Sequence, residues 1–262
     1  MPVLTLPNGA TVGYDDAGTG PPLVLLHAFP LDRAMWRAQL ADLPDVARVI
    51  NPDLPGFGES SPAGAFTVDG AADTVAAFVA ALGLSKVALG GLSMGGYIAL
   101  AFARRHPDKL TKLILADTRA GIDDTNARAG RDKSVETVRA KGTAALFDGM
   151  LPKVLSENTH ATNPALVERL KAIAARQKPE SVAAALAALR DRPDANPGLK
   201  DVTVPTLVLV GEFDAVTPPL GSANLSAQIR GSELIHVPKA GHLSNAENPD
   251  AFNAAVRAFL AK

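Results

Sequence analysis

Cysteine is absent from this chain of 262 residues, which excludes disulfides, thiol nucleophiles and cysteine-ligated metals together. Neither sign of charge is in excess. Twenty-six basic residues against 27 acidic ones leave a formal net charge of -1, so the overall balance points away from a nucleic-acid partner or an anionic membrane surface and toward small molecules. Long apolar runs are missing too. The longest tract, the alanine-rich Val182 to Leu189, is far short of the roughly 18 to 20 residues that span a bilayer, and a soluble protein is expected. The N-terminal stretch from Met1 to Gly9 has no basic segment followed by a longer apolar one. It does not read as a signal peptide, which makes the cytoplasm the default compartment. No internal repeat and no low-complexity tail interrupts the chain. A hydrophobic content of 47% supplies ample core for one large α/β domain or a core domain with an insertion.

Five short, nearly continuous apolar runs recur: Leu23 to Leu26, Val87 to Leu89, Leu113 to Ala116, Leu207 to Val210, and Leu234-Ile235 with Val237. Strands buried on both faces read this way, and segments of helical spacing lie between several of them, such as Val68 to Leu82 and the series Phe252, Val256, Phe259. The alternation predicts a mostly parallel sheet covered by helices on both sides. A further strand is expected through Val46 to Ile50. Val3 to Leu6 and Thr11 to Tyr14 flank Pro7-Asn8-Gly9, which suits an antiparallel hairpin on the sheet edge. The alternation stops after Leu115 and resumes at Val204, so the stretch between reads as a helical insertion. Gly142 follows the basic end of one expected helix, Arg128 to Lys141, while Asn163-Pro164 and Lys178-Pro179 mark the starts of others. In the last, Val182, Ala185, Leu186 and Leu189 form one apolar face.

Gly91-Leu92-Ser93-Met94-Gly95 lies between a strand-like and a helix-like run. This G-x-S-x-G pattern marks a strained strand-to-helix turn that projects a serine hydroxyl, with small residues required two positions to either side. A glycine-rich turn whose serine only caps the next helix is the competing reading. A serine needs a base to take its proton and a carboxylate to orient that base. His242 follows the last expected strand and Asp214 follows Leu207 to Val210, so both stand at carboxyl ends of strands, where sites in open α/β sheets gather. The order Ser93, Asp214, His242 is that of the α/β-hydrolases, distinct from the chymotrypsin and subtilisin orders. Asp117, just past Leu113 to Ala116, is a second candidate for the acid. His106, His160 and His236 are expected to be structural or solvated. No pair of histidines has the i, i+4 spacing of a helical zinc site, and no metal is expected. His27-Ala28-Phe29-Pro30 directly follows a strand beside the nucleophile strand. The amides of Phe29 and Met94 are the candidate oxyanion donors, with His27 bracing the loop.

With these residues in place the chain resembles the α/β-hydrolase superfamily. The likeness rests on His27 to Pro30, Asp53-Leu54-Pro55-Gly56-Phe57-Gly58-Glu59-Ser60, Gly91 to Gly95, Gly211 to Asp214 and Gly241-His242. Within it the chain is similar to small bacterial serine esterases and to 3-oxoadipate enol-lactonase-like hydrolases, with Leu243-Ser244-Asn245 as a further point of likeness. The resemblance implies the α/β-hydrolase fold with a helical cap between core strands 6 and 7. That gives a core over residues 1–117 and 200–262 and a cap over 118–199. It also implies no cofactor, a small ester as substrate, and a turn over Asp53 to Ser60 beside the active site, to which a structural role is assigned, with Phe57 as the one candidate there for a substrate contact. Ala28 departs from the glycine that many members carry in the oxyanion loop. Serine at position 93 argues against the haloalkane dehalogenases and epoxide hydrolases, which use an aspartate there.

The candidate pocket residues are Phe29, Met35, Trp36 and Met94 from the core and Phe147, Met150 and Leu151 from the cap, a largely apolar set. An enol-lactonase also needs a cation for its substrate's carboxylate; Arg33, Arg119, Arg128, Arg131 and Lys153 are the candidates by position. The expected activity is that of a carboxylesterase, with the enol-lactonase and a non-catalytic ligand-binding relative as the alternatives.

Overall fold

A computed structural model describes residues 2–62 and 65–262. The chain opens with β1 (Val3–Thr5) and β2 (Thr11–Ala17), an antiparallel pair that turns through Gly9 at φ 83°. The remaining strands are β3 (Pro22–Leu26), β4 (Arg48–Pro52), β5 (Val87–Leu92), β6 (Leu110–Ala116), β7 (Thr206–Gly211) and β8 (Glu233–Val237). They form one sheet of order β1-β2-β4-β3-β5-β6-β7-β8, in which β2 is antiparallel to β4 and the pairings from β4 to β8 are parallel. The sequence places β4 two residues early. Val46 and Ala47 donate their N–H groups back to the Leu43 carbonyl at 3.0 and 3.1 Å, closing a 3-10 turn, and the ladder with β3 starts only at Arg48.

The helices before the long β6–β7 connection are α1 (Arg37–Asp42), α2 (Val68–Ala81) and α3 (Met94–Arg105); that connection holds α4 (Thr125–Val154), α5 (Glu157–Thr162), α6 (Pro164–Ala175) and α7 (Pro179–Asp191). After β7 come α8 (Pro219–Gln228), α9 (Ser244–Glu247) and α10 (Pro249–Leu260). The doubly buried sheet explains the continuous apolar runs: along β3, Val24 and Leu26 join a core with α2, α3 and α8, while Leu23 and Leu25 join another with α10. Each large aliphatic side chain so buried contributes about 1.5–3 kcal/mol.

In the β6–β7 connection the expected break at Gly142 is present. Gly142 sits at φ 81°, ψ 172° and splits α4 into two helical pieces, a backbone conformation open essentially to glycine alone. The apolar face of α7, Val182, Ala185, Leu186 and Leu189, is at most 2% exposed and shares a core with Val138 and Leu146 of α4. No helix among the described residues is long and apolar enough to cross a membrane.

Candidate active site

Ser93 is the first residue after β5, at φ 54° and ψ -112°, a conformation that costs a non-glycine residue on the order of 1–3 kcal/mol. Two glycines allow it. A Cβ on Gly91 would lie 2.1 Å from the Gly95 carbonyl oxygen, and one on Gly95 2.2 Å from that of Leu26, so backbone runs where a side chain would stand. The end of β6 fixes the turn from the other side. The Ser93 N–H donates to the Ala116 carbonyl at 3.0 Å, and the Thr118 hydroxyl donates to the Ser93 carbonyl at 3.0 Å. Although Ser93 precedes α3, its hydroxyl makes no capping bond. It lies 2.8 Å from Nε2 of His242 instead.

His242 Nδ1 is 2.9 Å from Oδ2 of Asp214, so one hydrogen-bonded chain links the three residues that the sequence spaces across β5, β7 and β8. Asp214 also accepts from the Val216 and Thr217 amides, both at 2.8 Å, and from the Thr217 hydroxyl at 2.6 Å. Burial pulls the Asp214 carboxyl up, but the His242 charge and the His242 and Thr217 hydrogen bonds outweigh it and hold the group below the ordinary carboxylate value. An acid so held accepts Nδ1–H, which leaves Nε2 free to take a hydroxyl proton. Thr217 was not singled out from the sequence. An Asp followed three residues later by Thr is the local pattern of a side chain bonding its own downstream backbone, and that spacing is the signal it leaves.

Asp117, the other candidate acid, does not take that place. It is fully buried at φ 45°; Oδ1 accepts the Gly211 N–H at 2.7 Å and Oδ2 meets the Ser244 hydroxyl at 2.5 Å. Burial and then the negative charge of Asp214 push its carboxyl well above the usual range. It therefore ties the loop that carries Asp214 to the loop that carries His242, and its hydrogen bonds do not include the imidazole.

The loop after β3 is held by His27. The Leu54 N–H donates to His27 Nε2 at 2.9 Å, which fixes the tautomer, and Nδ1–H donates to the Ala28 carbonyl at 3.0 Å. Burial lowers the His27 pKa against the opposing charge of Asp53. Because the Ala28–Phe29 peptide is planar, pinning its carbonyl fixes the direction of the Phe29 N–H. Met94 opens α3, so its N–H has no intrahelical acceptor. The register of β3 on β5, Leu26 beside Gly91, sets these two loops side by side.

Several pocket candidates are placed differently from expectation. Trp36 is 1% exposed with its ring 6.0 Å from that of Phe252 on α10, so it is a core residue rather than a surface open to substrate. Phe57 is 0% exposed and packs edge-on against His27 at 5.2 Å, bracing the loop rather than reaching outward. Phe147, Leu151 and Met35 are also buried within the core shared with α6 and α10. Met150 is half-buried between the two cores, and Phe29 stands at the edge of burial.

The candidate cations are mostly engaged elsewhere. Arg33 pairs with Asp15, Asp53 and Glu59; Arg119 and Arg131 share Asp123, and Arg128 pairs with Asp191. Lys153 is exposed on α4. A cavity of about 270 Å³, lined by Tyr97, Arg104, Arg119 and Arg192 among others, runs down α3 and includes none of the three linked residues. The half-buried His106 bonds Asp73, while His160, which bonds the Leu151 carbonyl, and His236 are exposed.

An open, mostly parallel sheet that delivers a strained serine, an aspartate and a histidine in that chain order defines the class of hydrolase to which the geometry corresponds. The chain belongs to the α/β hydrolase fold family, whose model matches residues 21–249. It is similar to a thermophilic esterase from Thermogutta terrifontis, solved with malate bound, at 42% identity and a TM-score of 0.95 over 99% of this chain and 97% of that one. It is 31% identical to 3-oxoadipate enol-lactonase 2 of Acinetobacter baylyi over 97% of this chain and 92% of the relative. The enol-lactonase structure from Burkholderia xenovorans LB400 superposes with a TM-score of 0.92 at 28% identity, with both chains covered fully.

Proposed function

We propose that the protein is a serine carboxylesterase that cleaves small carboxylic esters through an acyl-enzyme on Ser93. The observation that carries this reading is the unbroken chain from Ser93 Oγ to His242 Nε2 at 2.8 Å and from His242 Nδ1 to Asp214 at 2.9 Å. His242 takes the Ser93 proton as the oxygen attacks the ester carbonyl, and the resulting oxyanion forms against the Phe29 and Met94 amides, each donor worth about 3 kcal/mol. His242 then gives its proton to the departing alcohol. Water, deprotonated by His242 in turn, attacks the acyl group and frees the acid, while Asp214 stabilises the imidazolium in both halves.

A lactone is an internal ester, and the enol-lactonase relatives support the same acyl chemistry on a cyclic substrate. Against the carboxylate-bearing enol-lactone stands the pairing of Arg33, Arg119, Arg128 and Arg131 with carboxylates of the chain itself. The esters favoured here are therefore uncharged. A panel of p-nitrophenyl esters of increasing acyl length, run beside small neutral and carboxylated lactones with Ser93→Ala as control, tests this. Turnover of neutral esters is expected; carboxylated lactones as the preferred substrates would replace the esterase reading by the lactonase one. Tight ligand binding without any turnover would instead support a non-catalytic relative.

A further inference from the structure

Glu247, at the end of α9, has no part in the chemistry above, yet its carboxylate lies under the loop that carries His242. Oε1 accepts the N–H of Gly241 at 2.9 Å and that of Leu243 at 3.4 Å, while Oε2 accepts the N–H of Ser156 at 2.8 Å and the hydroxyl of Thr159 at 2.7 Å. The first two donors flank His242. The other two belong to the junction where α4 ends and α5 begins. The two backbones also touch directly: the His242 N–H donates to the Val154 carbonyl at 3.0 Å, and a Cβ on Gly241 would stand 2.8 Å from the Ser156 nitrogen. The base-bearing loop thus rests on the helical insertion, and one carboxylate gathers donors from both sides of the contact.

We propose that Glu247 is a positioning residue for His242: it clamps the loop to the α4–α5 junction, so that the reach of Nε2 to Ser93 depends on where that junction sits. The proposal rests on His242 acting as the base for Ser93. All four partners donate, and a carboxylate offers acceptors at both oxygens. Glutamine has nearly the same shape but turns an NH2 group toward donors on one side, which releases either the loop or the junction. A base displaced by about 1 Å from its working position can cost about 100-fold in rate.

The test measures p-nitrophenyl acetate hydrolysis by wild type, Ser93→Ala, Glu247→Gln and Thr159→Val, with competent sites counted by phosphonate titration and folding followed by thermal melting. Glu247→Gln is expected to fold and to lose about 10- to 100-fold in kcat per titrated site with KM held within about twofold. Thr159→Val, which deletes one donor of the four, should lower kcat in the same direction by a smaller factor. A fall in melting temperature with wild-type kcat per site, or a raised KM at unchanged kcat, would overturn the proposal. Should Glu247→Gln fail to fold, wild-type kcat per site in Thr159→Val overturns it instead. Undiminished turnover by Ser93→Ala removes the triad reading and this proposal together, whereas an inactive Ser93→Ala beside a fully active Glu247→Gln removes this proposal alone.

Discussion

Ser93 holds a positive φ because backbone passes on both sides of it, and strain of that kind persists only where the surroundings over-determine the conformation. Gly95→Ala would set a methyl 2.2 Å from the Leu26 carbonyl oxygen, so α3 must shift and carry Ser93 with it. The variant is expected to lose about 1–3 kcal/mol of stability and to lose ester turnover as well; a wild-type denaturation midpoint and rate would show that the contact yields harmlessly. Asp117 gives a prediction with a sign. Its folded pKa is raised above the ordinary carboxyl value of 3.8, so its contribution to stability is fully present below that value and is lost as pH rises toward and through the raised one. Asp117→Asn does not titrate, and its amide can still accept from Gly211 and bond Ser244. Melting temperatures across pH 4 to 9 should therefore show wild type losing ground to the variant as pH rises, and wild type gaining on it would contradict the assignment. Ser93, Asp214 and His242 were legible because motif, chain order and strand-end position each constrain them. Trp36 was misplaced because an apolar residue beside a motif reads alike whether it lines a pocket or packs on Phe252. Chain order favoured Asp214 over Asp117 from the sequence, and the loop geometry aims only Asp214 at the imidazole.

At the scale of elements, Gly142 divides α4 in a conformation that a Cβ resists, although a Cβ there would meet nothing within 4 Å. Gly142→Ala should therefore cost about 1–3 kcal/mol through the backbone alone. Hydrogen exchange should show faster opening in α4 and α7, with the β5–β6 ladder unchanged. Equal protection throughout would show that the kink relaxes at no cost. The break was readable because glycine after a basic helix end is a termination signal. The parallel strands were readable because burial on both faces makes them continuous apolar runs. Helix α8 left no such trace: its buried residues are only Ser222 and Leu225, too few to set up a period. β4 was displaced because apolar Val46 and Ala47 suit a strand, while their N–H groups are committed to the turn at Leu43.

In the molecule as a whole, parallel strands bring the loops after β3, β5, β6, β7 and β8 to one edge of the sheet, which is why strand-end residues far apart in sequence converge. That convergence was foreseeable from strand-end position and chain order together. The seating of the β6–β7 helices on the His242 loop was not, since it depends on Glu247 accepting from Ser156 and Thr159, which lie 91 and 88 residues before it in the chain. The central claim is that Ser93 accepts the acyl group, and covalent labelling with an organophosphonate followed by peptide mass spectrometry tests it most directly. The expected result is one adduct per chain on Ser93, with ester turnover lost in step with labelling and neither label nor turnover in Ser93→Ala. An adduct on another residue, or ester turnover by Ser93→Ala at the wild-type rate, would contradict it.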